Sequence, residues 1–108
     1  MSSLESYIQA EIVRELRRRG YLVYSTPNEG AGGHPVRTGQ LITMGLLPGV
    51  ADLTVWIGNG RVAYLEVKAE HGVQSEHQKM FQKKCEADGY PYFVVRSVEE
   101  AVLCLNTL

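Results

Sequence analysis

Asp52, and then Glu66 and Lys68 on either side of Val67, have the types and spacing of a hydrolytic site. Two carboxylates beside an ammonium can hold Mg²⁺ or Mn²⁺ against a phosphodiester, orient a water and stabilise the extra negative charge of the transition state. Alternation along a strand puts Glu66 and Lys68 on one face and Val67 on the other.

Whether Asp52 joins them depends on the hairpin between them, whose turn falls at Gly58-Asn59-Gly60. If all three residues lie in the loop, Asp52 stands directly opposite Glu66, with Cβ atoms roughly 4.5 to 5.5 Å apart, close enough for one divalent ion to bridge them. If only Asn59-Gly60 forms the turn, every side chain of one strand moves to the other face and Asp52 is lost from the site. Asn-Gly is the strongest local signal for that shorter turn. Chemistry and local propensity therefore disagree, and the expectation here is a three-residue loop or a bulge that restores the parity.

The elements that must position these residues are legible in outline. Leu4 to Arg19 has helical periodicity, with Ile8, Ile12, Val13 and Leu16 on one side. Glu5 falls near the middle of that apolar face and Glu11 at its margin; a carboxylate there needs compensation, from a site or from the dipole of the helix start. Gly20 ends the helix, and Tyr21 to Ser25 reads as a strand.

From Thr26 to Gly49 glycines interrupt every period, predicting a long loop of the kind that is functional or mobile, with a short helix or turn over Leu41 to Leu47. Within it Asn28, Glu29, His34, Arg37, Thr38 and Gln40 suit phosphate or base contacts. Strands are expected over Val50 to Ile57 and Arg61 to Lys68, apolar on both faces as in a sheet covered on both sides. Ser75 and Gln78 form a capping box opening a helix that stops at Gly89, which leaves Gln78 able to point back at the acids and Ser75 a candidate substrate contact. Tyr92 to Val95 is a further strand, and Ser97 and Glu100 a second capping box before a last helix.

With 108 residues the chain is expected to form one domain, residues 1–108. No apolar run approaches the ~18 residues of a membrane span and no export signal is visible, so no membrane association and a cytoplasmic location are expected. Cys85 and Cys104 lack zinc spacing and read as small buried hydrophobes. A formal charge of −1 is unusual for a protein that meets a polyanion. The cations are clustered, however, at Arg14, Arg17, Arg18 and Arg19 and at Lys79, Lys83 and Lys84, though either cluster alone reads first as a solvated helix face.

Gly49-Val50-Ala51-Asp52-Leu53, then Glu66-Val67-Lys68-Ala69, then Ser75 and Gln78, taken in this order, resemble the virus-type replication-repair nuclease (VRR-NUC) family of the PD-(D/E)XK phosphodiesterase superfamily. The resemblance implies an α/β, restriction-endonuclease-like αβββαβ core, a mixed central sheet flanked by helices, here with an extra C-terminal helix. It implies metal-dependent endonucleolytic cleavage of DNA, often branched or Holliday-junction-like, in replication or repair, by a homodimer. Asp52, Glu66 and the carbonyl of Val67 would then ligate Mg²⁺ or Mn²⁺, Lys68 would act on the water or the developing charge, and Gln78 would be accessory. Glu5 would match the family's first-helix acid, with Glu11 its competitor. A twofold dimer would offer two equivalent sites to the two equivalent strands of a junction. The alternative from another class is a noncatalytic DNA-binding or assembly subunit that keeps the fold.

Overall fold

In a computed structural model, residues 3–26 and 35–108 are described, those at 35–38 through their backbone alone. The elements are α1 (Ser3–Arg18), β1 (Leu22–Ser25), α2 (Pro35–Thr43), β2 (Leu53–Gly58), β3 (Arg61–Val67), α3 (Glu76–Asp88), β4 (Tyr92–Val95) and α4 (Val98–Asn106). The strands lie in the order β1-β2-β3-β4, with the β1–β2 and β2–β3 pairs antiparallel and the β3–β4 pair parallel. The sheet is therefore mixed, as expected, and the one parallel pair is joined through α3.

One face of the sheet carries the main core. Leu53, Val55, Ala63, Leu65 and Val67 meet Ile12 and Leu16 of α1 and Ala101 and Leu105 of α4 there, all fully or almost fully buried. The other face is covered in part: Cys85 and Phe81 of α3 pack on Tyr64, Tyr92 and Val94, with Tyr64 and Phe81 meeting edge to face at 5.2 Å. Trp56, at the far side of that face, stays half-exposed. Cys85 is buried and Cys104 partly so, neither in a disulfide.

The hairpin resolves the conflict between propensity and chemistry by satisfying both. Asn59 and Gly60 take positive φ (56° and 71°), the conformation of a two-residue type I′ turn, and Gly58 faces Arg61. The register then slips, so that Trp56 faces Val62 and Leu53 faces Leu65, leaving Ile57 as the extra residue of a bulge. The bulge, not a three-residue loop, sets the parity.

Three features depart from the sequence reading by more than a one-residue shift of an element's end. The first hairpin strand starts at Leu53, not Val50, so Asp52 stands just before it; a hydrogen bond from the Thr26 amide to the Asp52 carbonyl (3.3 Å) still ties it to the sheet. The helix expected over Leu41 to Leu47 lies earlier, at Pro35–Thr43. Proline at the first helical position needs no amide partner, a start signal that the surrounding glycines conceal. The capping box expected at Ser97 is half-formed: Ser97 Oγ accepts from the Glu100 amide at 3.1 Å, but the Glu100 carboxylate reaches the Arg96 amide instead of that of Ser97. Among the described residues no helix is long and apolar enough to cross a membrane.

Candidate active site

Glu66 is the sixth residue of β3, on the face that α3 covers, and is 1% exposed. A carboxylate so buried must find donors or lose its charge. Its Oε2 accepts from Gln78 Nε2 at 2.9 Å and lies 3.3 Å from the Lys68 ammonium, itself buried. Its Oε1 is buried with no hydrogen-bond partner among the described residues. Burial first, and then the charge of Asp52, push the Glu66 carboxyl up to about 8, with Lys68 working in the opposite direction.

Asp52 approaches from the neighbouring strand. The register of β2 and β3, carried one residue past Leu53 and Leu65, sets it against Glu66. Its Oδ2 accepts from the Val67 amide at 2.7 Å, which locks the carboxylate to the strand bearing the second acid. Burial raises the Asp52 carboxyl above its ordinary range, the Val67 amide, a hydrogen bond with the Glu66 carboxyl and the charge of Lys68 lower it, and the charge of Glu5 raises it. Three carboxylates thus share one electrostatic neighbourhood, although they come from α1, the start of β2 and β3.

Glu5 reaches the site from the opposite layer. Its Oε2 is 3.4 Å from the Ala69 amide, directly after Lys68, and a side chain at Gly72 would come within 3.1 Å of the same oxygen. Glu11, its competitor, instead pairs with Arg14 along the helix. Gln78 performs both tasks that the sequence allows it. Its Oε1 accepts from the Ser75 amide at 2.8 Å and closes the capping box, while its Nε2 holds Glu66. Ser75 is exposed beside it, its hydroxyl accepting from the Gln78 amide.

Arg96 is a residue that the sequence reading missed. From the end of β4 its guanidinium donates to the carbonyls of Ala69, Glu70 and Gly72, clamping the turn that follows Lys68. A cation placed immediately after an apolar strand and before a helix cap was the available signal. Gln74 was missed as well: its amide donates to Tyr92 Oη at 3.1 Å and to Gln82 at 2.9 Å, and burial raises the Tyr92 phenol. Asn28, Glu29 and His34 lie outside the described residues, as do the side chains of Arg37 and Thr38 in α2; Gln40 is exposed. The two cationic clusters are mostly tied up within their own helices, in Arg14–Glu11, Arg18 and Arg19 with Glu15, Lys79–Glu76 and Lys84–Asp88 pairs.

The donor set suits a hard divalent cation. The unpartnered Glu66 Oε1 and a second carboxylate raised by burial both gain from a positive charge placed between them. No group of three or more His, Cys, Asp or Glu side chains with metal-holding geometry occurs among the described residues.

The family model of the VRR-NUC domain matches residues 4–99. A solved structure described as a VRR_NUC domain superposes with a TM-score of 0.67 at 21% identity, over 97% of each chain. Another, a VRR_NUC domain protein, reaches 0.77 at 15% identity, over 99% of this chain and 88% of its own. At such identities the likeness is one of fold. No curated protein was found to match the chain.

Proposed function

This chain belongs to the VRR-NUC family of nuclease domains, and on that footing we propose that it is a Mg²⁺- or Mn²⁺-dependent DNA endonuclease acting on branched DNA as a homodimer. The observation that carries the reading is Glu66: a carboxylate 1% exposed, gripped on one oxygen by Lys68 and Gln78, with the other oxygen unpartnered and a second carboxylate beside it.

Asp52, Glu66 and the Val67 carbonyl would hold the metal, which when bound supplies a Lewis acid for the phosphate and a water of lowered pKa. The protein's own groups set the stage for that chemistry. Gln78, anchored by the capping box, fixes the Glu66 carboxylate. Lys68 balances one negative charge in the metal-free site and places an ammonium where it can orient water or meet the growing charge on the phosphate. Glu5 holds the amide that follows Lys68, and so fixes the turn from which the lysine projects. Ser75, exposed beside Gln78, together with Asn28, His34 and Arg37, would meet the substrate.

The test is a panel of labelled four-way junction, flap, duplex and single-stranded DNA incubated with Mg²⁺, Mn²⁺ or EDTA. Junction or flap cleavage with metal alone is expected. Cleavage that survives EDTA sinks the metal mechanism, full activity in Lys68→Ala removes the lysine from it, and retention of junctions in a gel without any cutting replaces catalysis by a DNA-binding role. Sedimentation of the same preparation decides the dimer.

A further inference from the structure

Gly49 lies three residues before Asp52 with φ +88, and a Cβ built on it would stand 2.4 Å from the carbonyl carbon and oxygen of His77 and 2.8 Å from the Gln78 amide nitrogen. Those are backbone atoms of the first turn of α3, so they cannot swing aside as a side chain would. The segment leading to Asp52 therefore touches, main chain to main chain, the turn whose Gln78 donates to Glu66 at 2.9 Å. Gly89, at the other end of α3, has nearly the same φ (+84) with nothing within 4 Å of its Cβ position. The two glycines share a backbone requirement and differ in the contact.

We propose that Gly49 is a positioning residue for the site: its missing side chain lets the Asp52 segment lie against the first turn of α3, and that contact aims Gln78 at Glu66. The consequence for catalysis rests on the reading of Asp52, Glu66 and Gln78 as one site; the aiming itself does not. A side chain at residue 49 must push the turn outward, and Gln78 then leaves Glu66 while its cap with Ser75, carried on the same turn, moves with it. Displacements of about 1 Å at such a site cost on the order of 10²-fold in rate.

The experiment compares Gly49→Ala with Gly89→Ala, which carries the same left-handed strain without the clash. In metal-free protein the side-chain amide of Gln78, assigned by its loss in Gln78→Ala, is expected to be protected from exchange in the wild type and in Gly89→Ala, and unprotected in Gly49→Ala. Cleavage should fall about 10²-fold in Gly49→Ala, remain near wild type in Gly89→Ala, and fall no further when Gln78→Ala is added to Gly49→Ala. A protected Gln78 amide in Gly49→Ala overturns the proposal, as do losses that multiply in the double variant. Should Gly49→Ala not fold, Gly49→Asn serves, because asparagine tolerates positive φ yet carries the same Cβ. If Gln78→Ala alone leaves cleavage intact, the catalytic reading of Gln78 fails while the exchange measurement still decides the aiming.

Discussion

Glu15 and Glu66 are the same residue type, each beside basic groups, and their surroundings drive their carboxyls in opposite directions. Glu15, on the outer side of α1, accepts from Arg18 at 2.8 and 2.6 Å and from Arg19 at 2.7 Å, and these hydrogen bonds hold its carboxyl down at about 2. Glu66 has one ammonium and one neutral amide, and its burial drives it up to about 8. The difference teaches what a completed ion pair looks like and what an incomplete one is for. Three charged donors in water satisfy a glutamate; two donors out of water, with another acid alongside, leave a demand for positive charge.

Replacing the unsatisfied acid tests this contrast most severely. Glu66→Gln should lower cleavage by roughly 10³-fold, the scale of losing a group aimed at transition-state charge. The same change should raise the melting temperature of the metal-free protein at neutral pH and above, because a buried glutamine, unlike Glu66, needs neither a bound proton nor a compensated charge. A Glu66→Gln protein that melts lower in EDTA would break the comparison.

Metal is the next lever. At a concentration about 100-fold above its dissociation constant, Mg²⁺ or Mn²⁺ should raise the wild-type melting temperature by roughly 10 °C or more. The rise should disappear in Asp52→Asn and remain in Glu15→Gln. Gln78→Ala comes third: losing both the cap and the grip on Glu66 should cost about 1 kcal/mol of stability and roughly 10- to 100-fold in activity. Cleavage assays beside thermal melts separate the two losses.

The pH response should be gentler, with opposite signs at the two glutamates. The Glu66 carboxyl is raised from 4.5 to about 8, so its contribution to stability is fully present below about 4.5 and is lost as the pH climbs through about 8. Melts in EDTA should accordingly decline from pH 5 to pH 8.5, and less so in Glu66→Gln. The Glu15 carboxyl is lowered from 4.5 to about 2, so its contribution is present above 4.5 and is lost as the pH falls through about 2. Its salt bridges are open to solvent and screened by salt, so Glu15→Gln should leave cleavage unaltered and shift the melt least of all the variants.

Much of this was readable beforehand where two independent local signals agreed. The apolar stripe of α1 with Gly20 behind it, the Ser75 and Gln78 cap, and the Gly89 stop each combine periodicity with a terminus, and each element lies within a residue or two of its expected span. Where signals conflicted, the physics used both: Asn59-Gly60 turns as its propensity demands, and the bulge at Ile57 repairs the register that burial and the acids require. What stayed hidden was the start of α2, whose nine residues are too few to display a period among glycines. Arg96 stayed hidden too: its position between an apolar strand and a helix cap marks a cation, but the three carbonyls it holds lie 24 to 27 residues away and leave no local pattern that names them. The acids themselves were legible because carboxylates at the end of an apolar hairpin have no structural reason to be there.

The bulge also gives the hairpin slack. Ile57 is the one residue of β2 without an opposite number, so deleting it would leave Trp56 facing Val62 and Gly58 facing Arg61 in a plain two-residue hairpin. Asp52 and Glu66 would stay opposed. A residue lost between Leu53 and Val55, by contrast, has nothing to absorb it and would carry Asp52 to the wrong side of the sheet. Length changes can therefore accumulate at the tip of this hairpin during evolution while its base is held to a fixed count, and the distance between the acids along the chain is a looser signature of the site than their pairing across it.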